Sequence, residues 1–265
     1  RHHTRVIGAL FMREIMTRYG RDGIGFLWLI GEPLLFCMGV IGMWTIIKPE
    51  YEHGVRIAPF VMTGYMCLIL FRHIVSHNIS ALQANVGLMF HRSVKPPHIF
   101  FSRTLLEWGG ATVAFIIVYT ILYVLGTVKL PSNVLVLYGG WILLGLLSFG
   151  FSLIFSALSL MFEVMERVVP VFMYLMIPFS GAFIMVDWLP SGVQKYYLLI
   201  PMPHTVEMIR SSVFGEFVPT HFDPMYPAYW SIATIALGLD RKSTRLNSLS
   251  DAESSTSSRV EELFL

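Results

Sequence analysis

His73 and His77 stand four residues apart inside a long apolar run, the spacing that places two imidazoles on one helix face as a divalent metal would require. Their neighbours Arg72 and Asn78 supply no carboxylate and add a cation, so the pair reads as a polar stripe rather than a metal site. Arg72 is the telling member, because an ionised side chain in the middle of an apolar span costs about 3 kcal/mol on insertion. It must face protein or water. Glu32, directly before Pro33 in an earlier apolar run, is the matching carboxylate: it pairs with a cation of the second span or the N-terminal segment, or it snorkels. Glu32, Arg72, His73, His77 and Asn78 therefore carry two readings, a path for a hydrophilic cargo or pairing between helices.

Other chemistry is hard to place on this chain. A phosphate-cradling G-x-x-x-x-G-K-[ST] loop, G-x-G-x-x-G after a strand, H-E-x-x-H and C-x-x-C are all missing, so the sequence offers no nucleotide site, no metal site and no cofactor. Cys37 and Cys67 both lie in apolar runs and behave as small hydrophobes. Glu32, Glu107, Glu163, Glu166 and Asp187 share no motif of the kind an intramembrane glycosyl- or acyltransferase would need. The net charge of +2 is too mild for nucleic-acid binding.

The elements that position the polar stripe are membrane helices. Of 265 residues, 55% are hydrophobic and 14% charged, and the mean hydropathy of +0.64 is that of a chain whose solvent is lipid. Runs near or above the roughly 20 residues that cross hydrocarbon cover Phe26 to Ile47, Ile57 to Leu82, Phe100 to Val128 and Val134 to Phe162. A fifth span is predicted over Val168 to Val186, interrupted by Pro170 and Pro178, and a sixth, shorter one over Met225 to Leu239. The proline-rich stretch between them, Asp187 to Pro224, reads as re-entrant or interfacial helices. Ser148, Ser152 and Ser156 recur every fourth residue on the fourth span with Gly145 near the same face, a pattern for close helix packing. The fold class is thus all-α: about six transmembrane helices, an interfacial N-terminal helix and re-entrant helices before the last span.

Basic residues orient these spans. Nine Lys or Arg fall on the N-terminal side of the membrane and five (Lys48, Arg56, Lys129, Lys195 and Arg210) on the other, which places the N-terminus in the cytoplasm. Arg5 to Tyr19 is basic and aromatic enough to lie along that interface, and the first 26 residues are too interrupted for a cleavable signal. The first cytoplasmic loop, Met89 to His98, is short, basic and stiffened by Pro96 and Pro97, which suits docking into a partner. From Asp240 the composition turns to Ser, Thr and charge. Residues 240–265 read as a polar tail, disordered or foreign to the natural chain, that cuts the last span short.

Three blocks together resemble the permease subunits of type-2 ABC exporters, and among them those of capsular-polysaccharide export. They are Arg18-Tyr-Gly-Arg-Asp-Gly-Ile-Gly-Phe-Leu-Trp28 running into Glu32-Pro33, Leu88-Met-Phe-His-Arg-Ser-Val-Lys-Pro96 followed by Arg103-Thr-Leu-Leu-Glu107, and Pro203-His-Thr-Val-Glu-Met-Ile-Arg210. The resemblance implies one transmembrane domain over 1–239, in the bacterial inner membrane, working as a homodimer with two separate ABC ATPase subunits that hold the ATP and Mg. The implied cargo is a lipid-linked acidic polysaccharide, passed on to periplasmic export partners. On that likeness Phe90, His91, Arg92, Lys95, Pro96 and Pro97 form a coupling helix against the ATPase, and Arg13, Arg18 and Arg21 meet the cargo's head group or the ATPase at the cytoplasmic entry. Export of O-antigen, teichoic acid or a drug would use the same fold.

Overall fold

The computed structural model describes residues 2–19, 24–85, 94–162, 164–215 and 218–240. Among them regular structure is helical apart from one two-residue hairpin. The chain is an all-α polytopic membrane protein, with four helices long and apolar enough to cross a bilayer.

Helix α1 (His2–Tyr19) precedes the first long helix, α2 (Ile24–Ile47), which carries Pro33 inside it. The chain then turns at Tyr51–Glu52 and Val55–Arg56, an antiparallel hairpin whose tip residues His53 and Gly54 both adopt positive φ, at 50° and 80°. Helix α3 (Ile57–Ile79) follows. It is the most buried of the long helices and the axis about which the others pack. A 3₁₀ turn at Gln83–Asn85 ends this segment.

Helix α4 (Pro96–Val124) begins four residues earlier than hydropathy suggests. Pro96 and Pro97 occupy its first turn, where a missing N–H leaves no bond unmade. Lys95 before them is extended, as a residue preceding proline must be. The Lys95 N–H donates to His98 Nδ1 (3.2 Å) while the His98 N–H donates to the Lys95 carbonyl (2.9 Å). The proline pair therefore opens a span instead of stiffening a loop. Helix α5 (Val134–Met161) is capped by Asn133, whose Oδ1 accepts from the Leu135 and Val136 N–H groups.

The fifth predicted span takes a different form. Helix α6 (Met165–Leu175) has only 11 residues and gives way to successive turns before Pro178, which cannot continue a helix. At 1.5 Å per residue it is about 16 Å long, half of a hydrocarbon core. A 3₁₀ turn at Val186–Trp188 and two short helices, α7 (Ser191–Tyr197) and α8 (Pro201–Phe214), complete the stretch expected to be re-entrant. A last helix, α9, covers 225–240. It packs on α5 so closely that a Cβ at Gly150 would lie 2.0 Å from Thr234 Oγ1, and one at Gly238 would lie 2.5 Å from Leu153 Cβ. Residues 241–265, the predicted tail, lie outside the described residues.

Candidate functional site

Three helices bring the intramembrane polar residues together. Glu32 comes from the N-terminal half of α2, Arg72, His73 and Ser76 from the C-terminal half of α3, and Tyr174 from α6. With Phe36, Tyr65 and Ile69 they line a cavity of about 260 Å³. The Arg72 guanidinium stacks 4.7 Å over the Tyr174 ring. Two carboxylates flank His73: Glu32 Oε1 is 3.8 Å from Nε2, and Glu107 Oε2 of α4 is 3.7 Å from Nδ1. Those separations are ion-pair distances, longer than direct hydrogen bonds.

Glu107 is the residue that local reading missed. Its side chain is 2% exposed, and its Oε1 lies 3.1 Å from His77 Nδ1. The same nitrogen is 3.0 Å from the His73 carbonyl. A carboxylate and a carbonyl can only accept here, so His77 Nδ1 carries the proton. The residues beside the histidine pair in sequence supply no carboxylate, and α2 and α4 each bring one from far along the chain. Among the described residues no group of three or more His, Cys, Asp or Glu is placed to hold a metal ion.

Asn78 departs from the predicted stripe. It is 1% exposed and its Nδ2 donates to Thr104 Oγ1 (2.9 Å) and Ser152 Oγ (3.1 Å), locking α3 to α4 and α5 away from the cavity. The serine row of α5 belongs to the same seam, and Ser156 Oγ donates to the Ile79 carbonyl at 3.2 Å. Above the cavity, aromatic rings continue away from the α1 end. Tyr65 lies 6.3 Å from Phe183, which stacks on Trp44 at 5.5 Å with 15° between planes.

The N-terminal helix meets the bundle beside this site. Glu14 and Arg103 form a buried pair with Oε1 2.9 Å from Nε, and Arg13 Nη1 donates to Asn85 Oδ1 at 2.7 Å. Arg13, expected to meet a head group or the ATPase, here fastens α1 to the 3₁₀ turn beyond α3. Arg18 belongs to α1 without a described side chain, and Arg21, Phe90, His91 and Arg92 lie outside the described residues. Lys95 is exposed, Pro96 half-buried and Pro97 exposed at the start of α4, on the same end of the bundle as α1.

A second polar centre sits at the opposite end. Arg210, counted above among the cations on the side opposite the N-terminus, is fully buried in α8: Nη1 donates to the carbonyls of Gly181 (2.7 Å) and Ile184 (3.2 Å), and Nη2 to that of Ala182 (2.6 Å). Its guanidinium stacks 4.2 Å over Phe60, and Glu207 approaches Nη1 to 3.8 Å. Gly64 makes room for this loop, since a Cβ there would lie 1.9 Å from the Ala182 oxygen. The third sequence block is thus the clamp that holds the 181–186 turn against α3.

A helical bundle with a half-polar cavity between spans, and without a nucleotide site legible in its sequence, has the construction of a transporter's membrane subunit. The chain belongs to the ABC-2 type transporter family, whose pattern it matches over residues 5–214. It is 37% identical over 235 residues to the capsule polysaccharide export inner-membrane protein CtrC of Neisseria meningitidis serogroup A, covering 89% of each chain. The same identity and coverage relate it to the capsule polysaccharide export inner-membrane protein BexB of Haemophilus influenzae. The polysialic acid transport protein KpsM of Escherichia coli is 29% identical over 239 residues, covering 90% of this chain and 93% of that one.

Proposed function

We propose that this chain is the permease of an ATP-driven exporter that carries a lipid-linked capsular polysaccharide across the inner membrane, with its N-terminus in the cytoplasm. The observation that carries the reading is the cavity of Glu32, Tyr65, Arg72, His73 and Tyr174, lined by α2, α3 and α6, in a chain 37% identical to a capsule polysaccharide export inner-membrane protein over 89% of its length. A polar cavity in the inner half of the spans, continued by Tyr65, Phe183 and Trp44, suits a cargo that is charged at one end and rich in sugar rings.

Energy comes from a separate ATPase, which supplies ATP and Mg binding. Its docking surface is the segment from Phe90 to Lys95 leading into the Pro96–Pro97 turn. Two copies of the chain enclose the path. The inner part of α2 supports this, since Glu32 has a side chain 38% exposed among apolar residues such as Leu35 and Phe36, and a carboxylate there needs protein or water rather than lipid.

The test is the double variant Arg92→Glu with Lys95→Glu, co-expressed with the cognate ATPase. Reversed charge at a docking surface removes complementarity without touching an apolar span. Surface polysaccharide should fall at least about tenfold, with membrane abundance of the permease unchanged and the ATPase no longer co-purifying. Normal export by the double variant overturns the docking assignment.

A further inference from the structure

We propose that Glu14 and Arg103 form the joint through which movement of the N-terminal helix reaches the intramembrane cavity, which makes Arg103 a positioning residue for transport. Helix α1 spends two adjacent charged residues on two different helices: Arg13 holds Asn85 just beyond α3, and Glu14 holds Arg103 in the second turn of α4. Apolar packing through Leu10 against Ile99 and Phe100 already seats α1 there. An ion pair with Glu14 6% and Arg103 8% exposed adds little net stability over apolar residues of the same size, because both charges have been stripped of water. What it adds is fixed geometry.

Arg103 meets two partners at once, one through an ion pair at Nε and one through a hydrogen bond at Nη1. Nε faces Glu14, and Nη1 donates to the His77 carbonyl at 2.9 Å, one of the last four carbonyls of α3 that have no partner within the helix. Beyond that carbonyl the polar contacts continue inward. His77 Nδ1 meets Glu107, which lies one turn from Arg103 on α4, and Glu107 and Glu32 flank His73 on the cavity wall. A shift of α1 along the membrane surface cannot leave Arg103 in place, and a shift of Arg103 moves the end of α3 and the carboxylate beside both histidines. Asn85 and Arg103 also stand on either side of the 86–95 stretch in sequence. The inference rests on the reading that an ATPase drives this chain from the side on which α1 lies.

Two experiments on the assembled exporter test it. Arg103→Gln and Glu14→Gln should each lower export at least about tenfold, while permease abundance, ATPase co-purification and ATP hydrolysis by the complex persist. Arg103→Lys, which keeps the charge facing Glu14 but not the guanidinium, should fall between these variants and the natural chain. Separately, Arg13→Cys with Asn85→Cys, with Cys37 and Cys67 replaced by Ala, is bridged by a short reducible bis-thiol reagent. Export by this variant should be the same before and after the linker is cleaved, because α1 and the end of α3 move as one body. Normal export by Arg103→Gln, its loss from the membrane, or export that stops on bridging and returns on reduction overturns the proposal. Loss of ATPase co-purification from any of these variants overturns it too, since the defect then lies in docking.

Discussion

Arg210 shows what a single buried charge does in this molecule. Its guanidinium donates to three backbone carbonyls of the 181–184 turn and lies 4.2 Å over the Phe60 ring. Removing one member of such a set leaves polar groups buried without partners, which costs about 3–5 kcal/mol. Arg210→Ala should therefore lower the thermal unfolding temperature of the purified chain in detergent far more than Lys195→Ala, whose side chain lies on an exposed part of α7. Equal shifts in the two variants would show that the clamp does not hold the fold. At this scale the sequence was informative about type and uninformative about partner. That Glu32 and Arg72 needed protein or water followed from their place in apolar runs. That Glu107 would reach His77, and that Arg210 would be buried, followed from contacts far apart in the chain that no local window contains.

Helices were legible where hydrophobicity is continuous and illegible where it is broken. The four long spans are predicted by length and apolarity alone, and their ends shift by a few residues for local reasons, such as the proline pair that opens α4. The fifth span is less regular than the others: Val168 to Val186 has the composition of a span, while its helix, Met165–Leu175, carries Pro170 inside it and passes into turns before Pro178. Ser148, Ser152, Ser156 and Gly145 of α5 were read as a packing face, and the structure shows partners for them: Ser152 meets Asn78, Ser156 meets the end of α3, and Gly145 lies against Trp108, while Gly150, outside that reading, admits α9. Gly150→Val follows directly, since its side chain would overlap Thr234. The variant should separate α9 from α5, raising the proteolytic sensitivity of the chain near residue 240 while leaving the α1 end protected. Unchanged proteolysis would contradict the close approach of the two helices.

At the scale of the whole molecule, polar groups gather at two ends and a cavity lies between them. The α1 end carries Arg13, Glu14, Asn85 and Arg103, and the opposite end carries the hairpin, where Arg56 donates to the Gly126 carbonyl, and the Arg210 clamp. An impermeant thiol reagent applied to intact cells, with Cys37 and Cys67 replaced, should label Glu52→Cys and Gly192→Cys but not Ser93→Cys; the reverse pattern would invert the orientation. ATP-driven export is tested most directly in proteoliposomes holding this chain and its cognate ATPase, with a fluorescent lipid-linked acidic polysaccharide added outside. ATP should drive the polysaccharide into the lumen only when both proteins are present, and the chain alone should hydrolyse no ATP above a blank. Polysaccharide uptake without the ATPase, or nucleotide turnover by the chain on its own, would contradict the claim that this protein is the permease half of an ATP-driven exporter.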